Sequence, residues 1–131
     1  MKTNKRTFLD VMEDFVNSYL PIEKGCSSKT VESYKTTYRL LLEYLYEHKS
    51  LPSDRISFDK LDYGTITDFL DWLQESRKCS ARTRNQRLAA LNSFSKYAGI
   101  VCLEAAFLRN TLNKIPQKKT QRSVKSTFTP E

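Results

Sequence analysis

The chain has 131 residues, 22 basic and 15 acidic side chains, a formal net charge of +7 and an isoelectric point near 9.4. That length fits one compact domain, and 39% apolar residues with a mean hydropathy of −0.58 exclude disordered and membrane proteins. The apolar runs are far shorter than the ~20 residues that a membrane-spanning helix needs. We therefore expect a cytoplasmic protein without a membrane partner.

Few residues of the chain suit tight turns, metal binding or catalysis. Three glycines and four prolines are too few for a fold with many tight turns, so helices are favoured. The cysteines, Cys26, Cys79 and Cys102, are widely spaced and His48 is the one histidine, a pattern that fits neither a zinc site nor a disulfide framework. Because nucleotide-binding, metalloprotease and nucleophile motifs are also absent, we expect a non-enzymatic chain without cofactor, metal or small-molecule ligand.

Hydrophobic residues recur at steps of three and four, which is the spacing of amphipathic helices. The first such segment predicts a helix over residues 7–20 that ends at Pro21. The second predicts a helix that runs from a serine cap, Ser27 or Ser28, to about His48. The connection that follows carries three apolar side chains expected to pack under the bundle: Ile56, Phe58 and Leu61.

Two further helices follow, each after a residue suited to capping. Asp62 is predicted to cap a third helix over residues 63–76. Ser80 is predicted to cap a fourth helix over residues 81–98, and Gly99 is expected to end it.

The last part of the chain combines a short apolar segment with a polar tail. Residues 103–112 keep helical spacing before Pro116 interrupts it, and residues 117–131 are rich in Lys, Ser and Thr. The tail is predicted to be a flexible linker. The elements together predict an all-α fold, a bundle of four to five helices with a flexible basic C-terminal linker.

Basic and acidic side chains are distributed unevenly along the chain. Residues 1–75 hold 10 basic and 13 acidic side chains, a net charge of −3, whereas residues 76–131 hold 12 basic and 2 acidic ones, a net charge of +10. No acid occurs between Glu75 and Glu104, a stretch that contains six Lys and Arg residues. This asymmetry indicates a polyanionic partner.

The fourth predicted helix presents a polar face opposite its apolar stripe. That face combines Arg, Asn, Gln and Ala, which can contact base edges and let a helix enter a major groove about 12 Å wide. An ordinary solvated face has a similar composition, and the missing acids are what favour DNA. Arg84 and Arg87 lie nearer the apolar stripe, where we expect phosphate contact or pairing with Asp68, Asp71 or Glu75.

The start of the second predicted helix is another candidate surface, because amides and hydroxyls at a helix start can bind a phosphate. Capping alone also explains such a cluster of Ser, Thr and Lys. The basic linker is either a further phosphate contact or a solubilising tail. The candidate DNA-binding residues are Ser28, Lys29, Thr30, Ser33, Thr36, Arg82, Thr83, Arg84, Asn85, Gln86, Arg87, Asn92, Lys96, Lys118 and Lys119.

Three segments resemble motifs of a known family. SSKTVESY at residues 27–34 resembles the S-x-x-T-x-x-x-Y opening of the core-binding domain of tyrosine recombinases, the phage integrase family. SARTRNQRLAALNSF at residues 80–94 resembles that family's T-x-N-x-R-L-x-A-L-R-S-F helix. TFTPE at residues 127–131 is similar to the L-T-x-E segment that opens the family's catalytic domain. The resemblance covers about residues 7–112.

The resemblance implies a fold, a function and partners. Residues 1–114 would form a SAM-like bundle that grips core-type recombination sites, with the second and fourth helices in the major groove. Double-stranded DNA and further recombinase protomers would be the partners. Residues 115–131 would be a linker toward a catalytic domain that the chain does not include, so we expect a piece of a longer recombinase without activity of its own.

Two other functions fit a basic helical chain. A helix-turn-helix transcription regulator joins two helices by a turn of three or four residues, whereas about 14 residues connect the second and third predicted helices. A helical protein-interaction module would use the acidic, aromatic surface of the third helix near Asp71 and Trp72. Charge reversal of Arg82 and Lys96 separates the interaction module from a DNA-binding module, since only a DNA-binding module should lose affinity.

Overall fold

The computed structural model describes residues 7–119, and no β-strand occurs within that range. In this part of the chain five α-helices follow one another: α1 (Phe8–Asp14), α2 (Ser28–Lys49), α3 (Tyr63–Glu75), α4 (Ala81–Val101) and α5 (Ala106–Asn113). A π-helical segment, Phe15–Glu23, continues α1, and 3₁₀ turns occur at Ser53–Arg55, Phe58–Lys60 and Leu103–Ala105. The predicted all-α bundle is confirmed.

The three longest helices begin at the residues that the sequence indicates. Ser27 Oγ accepts the Thr30 amide at 3.2 Å, and Ser80 Oγ accepts the Thr83 amide at 3.1 Å. The carboxylate of Asp62 accepts the first-turn amide of α3. Each side chain satisfies an amide that has no partner inside its helix, so all three predicted caps are confirmed.

The end of the first helix differs from the prediction. Pro21 does not end it, because the backbone widens to π-helical spacing and continues to Glu23 with Pro21 inside. Proline donates no amide to the preceding turn, and the segment closes with the Lys24 amide on Tyr19 O at 2.8 Å. Gly25 follows at φ +69°, a left-handed conformation that glycine adopts without strain and that turns the chain toward α2.

The fourth helix is longer than predicted. Gly99 remains helical, since a glycine ends a helix only where the chain turns into the left-handed region, and α4 continues to Val101. Cys102 ends α4 with an extended backbone. The last predicted helix begins as a 3₁₀ turn and becomes α-helical only at Ala106.

Aromatic side chains fill the centre of the bundle. The Phe94 ring of α4 packs edge-on against Phe8 and Phe15, with centroids 5.6 Å apart in both pairs, and against Tyr38 of α2 at 5.3 Å. Phe58 lies beside the same ring at 6.3 Å. The predicted burial of the connection is confirmed for Ile56, Phe58 and Leu61. This core fixes α4 between α1 and α2.

Candidate nucleic-acid interface

Hydrogen bonds cross directly between α2 and α4. Arg87 Nη1 donates to the main-chain oxygen of Ser33 at 3.4 Å and to Thr37 Oγ1 at 3.2 Å. Tyr38 OH donates to the main-chain oxygen of Ala90 at 3.2 Å. Because Thr37 and Tyr38 are buried, these bonds lie within the packed contact between the helices. The structure therefore brings the two predicted DNA-binding helices side by side.

The outer face of α4 is formed by four exposed residues: Arg82, Gln86, Ala89 and Lys96. Within residues 7–119, its three polar side chains make no hydrogen bond or ion pair. At one border, Ser93 Oγ accepts a hydrogen bond from Tyr34 OH of α2 at 3.3 Å. The outer face of α4 thus adjoins α2 and presents cations to solvent.

Two other candidates on α4 have local partners. Thr83 takes part in the cap of the helix, where its hydroxyl lies 3.3 Å from Ser80 Oγ. Asn92 is half-buried, and its Nδ2 donates to the main-chain oxygen of Leu88 at 3.2 Å. Both side chains are thus oriented by bonds within α4.

The first turns of α2 carry exposed hydroxyls and one exposed ammonium group. Ser28, Lys29, Thr30 and Ser33 are all exposed. Thr36, which is half-buried, donates its hydroxyl to the carbonyl one turn earlier. Ser28 and Lys29 also line a groove between α2 and the π-helical segment, together with Val16, Asn17, Glu32 and Lys35. The start of α2 therefore presents a mixed surface that includes one carboxylate.

Arg84 and Arg87 do not form the predicted ion pairs with α3. Arg84 is 5% exposed, and its Nη1 donates to the main-chain oxygen of Pro116 at 3.1 Å. Burial lowers the pKa of Arg84, and the nearby charge of Asp71 opposes that shift. The segment after α5 covers the side of α4 that carries Arg84, and α2 covers the side that carries Arg87. Main-chain and hydroxyl oxygens of these segments therefore bind the guanidinium groups in place of the expected carboxylates. Arg84 is consequently enclosed rather than exposed.

The start of the predicted linker packs against the bundle. Ile115 is buried, so the packed unit extends beyond residue 114. The Lys118 amide donates to Asn85 Oδ1 at 3.0 Å, and Asn85 Nδ2 donates to the Lys118 carbonyl at 2.8 Å. Lys119 is exposed. The rest of the predicted linker, residues 120–131, and its TFTPE motif lie outside the described residues.

Sequence reasoning missed two residues of this region. Thr37 was not predicted, because it lies beside the apolar stripe of α2. A threonine at a buried helix position nevertheless indicates a polar partner across the interface. Gln74 of α3, which accepts from Lys118 Nζ at 2.9 Å, carries no signal in the sequence.

The described residues offer few features for other chemistry. Between Thr7 and Lys119, no three His, Cys, Asp or Glu side chains are grouped as a metal site would require. None of the helices between these residues combines the length and the apolar composition that spanning a bilayer requires. The three cysteines are free, and burial raises the pKa of the Cys102 thiol.

Comparisons with known proteins agree on one family. The profile described as phage integrase SAM-like domain matches residues 7–100. An integrase/recombinase of Sinorhizobium fredii named y4rC is 30% identical over 122 residues, which is 93% of this chain and 37% of the relative. The tyrosine recombinase XerD of Oceanobacillus iheyensis is 30% identical over 66% of this chain and 27% of its own length. No solved structure matches the chain significantly.

The chain thus spans little more than a third of the length of the Sinorhizobium relative. The XerD of Listeria monocytogenes gives the same result, with 30% identity over 67% of this chain and 28% of its own length. The profile match covers most of the helical bundle, including the cap of α2 and most of α4. The chain therefore belongs to the phage integrase SAM-like domain family and is an N-terminal SAM-like domain of a tyrosine recombinase.

Proposed function

We propose that this domain binds double-stranded DNA through α2 and α4 in the service of site-specific recombination. One observation carries the proposal: the outer face of α4 presents Arg82 and Lys96 without an acidic partner among the described residues. An exposed cationic helix face attracts a polyanion, and the major groove of B-DNA is wide enough to admit an α-helix. Gln86 lies between these cations and can bond an adenine edge.

The start of α2 is proposed to contact the phosphate backbone beside the groove. Lys29 supplies charge, and the exposed hydroxyls of Ser28, Thr30 and Ser33 supply donors. Such contacts position a protein on the duplex, whereas contacts to base edges specify the sequence. Thr36, Thr83, Asn92 and Arg87 are assigned supporting roles at the edges of the same surface.

We also propose that Lys118 and Lys119 extend this surface. Asn85 holds the backbone of Lys118 at the border of the outer face of α4 opposite α2. The next residue, Lys119, is exposed. This arrangement supports a third row of phosphate contacts beside α2 and α4.

The longer protein is proposed to cut and rejoin DNA as a tyrosine recombinase in the cytoplasm, together with further protomers. The relatives support this proposal by their names, but the chain spans only 27–37% of the lengths of the three relatives described. We therefore assign strand cleavage to the remainder of the protein and assign DNA binding to this domain.

The proposal is tested by a double charge reversal on the outer face of α4, Arg82→Glu with Lys96→Glu. Binding is measured by fluorescence anisotropy with a labelled duplex of mixed sequence over a salt titration. We expect the double variant to bind at least about tenfold more weakly, with a log–log salt slope reduced by about 1.8, because each lost phosphate contact removes about 0.9.

The matched control reverses two exposed cations in the 3₁₀ turns between α2 and α3, Arg55→Glu with Lys60→Glu. It changes the net charge of the protein equally, so any loss due to overall charge alone appears in both variants. Equal affinities for wild type and the α4 double variant would contradict DNA binding by α4. That result would favour a protein-interaction module.

A further inference from the structure

We propose that Arg84 and Asn85 are positioning residues that fix the point and the direction in which the polypeptide leaves the bundle after α5. Both residues lie on the helix proposed to contact DNA, yet their side chains bind the protein's own main chain. The inference is independent of DNA binding and concerns how residues 116–118 are held on α4.

Residues 115–118, which follow α5, are called the exit segment here. Asn85 holds one of these residues, Lys118, by two hydrogen bonds. Its Oδ1 accepts the Lys118 amide at 3.0 Å, and its Nδ2 donates to the Lys118 carbonyl at 2.8 Å. The carboxamide thus bonds both backbone groups of one residue, as a neighbouring residue does in a hydrogen-bonded pair of an antiparallel sheet. A single bond would fix only a position, whereas two bonds also fix the orientation of the backbone.

Arg84 sets the orientation of that carboxamide. Its Nη1 donates to Asn85 Oδ1 at 3.0 Å and to the Pro116 carbonyl at 3.1 Å. Because Oδ1 has two acceptor sites, the bonds from Arg84 and from the Lys118 amide use both of them. A flipped carboxamide would place its NH₂ group against the guanidinium and lose all three bonds. Only one orientation of Asn85 is therefore compatible with Arg84.

Two further contacts complete the attachment. Ile115 is 6% exposed and belongs to the hydrophobic core, so apolar packing holds the segment just before Pro116. Lys118 Nζ donates to Gln74 Oε1 of α3 at 2.9 Å. The exit segment is thus held on α4 by Arg84 and Asn85 and on α3 by Gln74. Lys118 is therefore held at a fixed position beside α4.

Hydrogen exchange measured by NMR on the 131-residue chain without DNA tests this inference. We expect the Lys118 amide of the wild type to exchange at least ~10-fold more slowly than the amides of Gln117 and Lys119. In Asn85→Ala that protection should disappear, because the acceptor is gone. In Asn85→Asp it should be intermediate, because the carboxylate keeps the acceptor but loses the donor to the Lys118 carbonyl.

Asn92→Ala is the matched control, since it removes the same side chain from α4 about two turns away, where the carboxamide bonds Leu88 instead. It should leave Lys118 exchange unchanged. Core amides at Leu91 and Phe94 report whether a variant has unfolded, and Asn85→Asp serves if Asn85→Ala does not fold. Equal exchange of the three amides of residues 117–119 in the wild type, or no change in either Asn85 variant, would overturn the inference. Loss of DNA binding would not affect it.

Discussion

Charged side chains of α3 and α4 are used in different ways. Two of the acids around α3 act within the protein: Asp62 caps the helix, and Asp68 pairs with Lys49 at 3.3 Å. The exposed cations of α4, Arg82 and Lys96, have no such partner among residues 7–119. Asp62 and Asp68 therefore serve the fold, whereas the charge on the outer face of α4 remains available to a ligand.

This difference teaches that net charge alone does not locate a binding surface. The guanidinium groups at the sides of α4, those of Arg84 and Arg87, serve the fold as much as Asp68 does. A charge count over α4 treats all of its cations alike. Only their partners separate cations that bond the protein's own oxygens from those whose donors are free to contact a ligand.

The largest effect is expected on the buried side of α4, where Phe94 packs against four aromatic rings. Phe94→Ala should lower the free energy of unfolding by about 3–5 kcal/mol, because it leaves a cavity in the core. Urea denaturation followed by circular dichroism measures the change. The control on the same helix is Ile100→Ala, since Ile100 is 81% exposed and should cost no more than about 0.5 kcal/mol. Similar losses in both variants would contradict the assignment of the two sides.

A smaller effect is expected for the cation that bridges α4 to α2. Arg87→Met should lower the free energy of unfolding by about 1–3 kcal/mol, since it removes charged hydrogen bonds to Ser33 and Thr37. Arg82→Met should change stability by less than about 0.5 kcal/mol but weaken DNA binding. Thermal and urea denaturation of both variants measure the contrast. Equal stability of the two variants would remove the distinction between bridging and outer cations.

The smallest effect is expected at the cap of α3. Asp62→Ala should cost about 1 kcal/mol at neutral pH, because the Thr65 amide loses its acceptor. That bond holds the pKa of Asp62 below its ordinary value of 3.8, so the unfolded chain binds the proton first as pH falls. The difference in the free energy of unfolding between wild type and Asp62→Ala should be fully present above pH 3.8. It should vanish as pH falls through the folded-state pKa of Asp62.

Urea denaturation at pH values from neutral to acidic measures this dependence. Asp54→Ala is the control, because Asp54 is an exposed acid in a 3₁₀ turn that caps no α-helix. A pH-independent difference between wild type and Asp62→Ala would show that the cap does not act through the carboxylate charge.

Much of the fold could be predicted because local signals and packing agree. Ser27, Asp62 and Ser80 each precede an apolar repeat of helical spacing, and the helix begins after each of them. The apolar stripe of α4 is formed by Leu88, Leu91, Phe94 and Ala98, which keep helical spacing and are buried. Neither Pro21 nor Gly99 ends a helix as predicted. The helix passes Pro21 by widening to π-helical spacing, and Gly99 keeps a helical backbone because the chain does not turn into the left-handed region there.

The site was predicted less completely, because helical spacing shows where a side chain points but not what it meets. Arg82 and Lys96 lie on the exposed face as their spacing indicates. The covering of Arg84 depends on Pro116, which is 32 residues away in sequence, and the bonds of Asn85 depend on Lys118. Contacts of that range are decided by the path of the chain after α5, for which the sequence carries no local signal.

The fully buried hydroxyl of Thr37 has a consequence for the dimensions of the proposed DNA contact. Apolar side chains tolerate some sliding of one helix along another, but Arg87 reaches both Thr37 and Ser33 in a single alignment. These hydrogen bonds inside the protein therefore fix how α2 and α4 are aligned, and with it the separation between Lys29 and Arg82. A substitution that DNA never touches, such as Thr37→Val, could change which phosphates along a strand the domain spans.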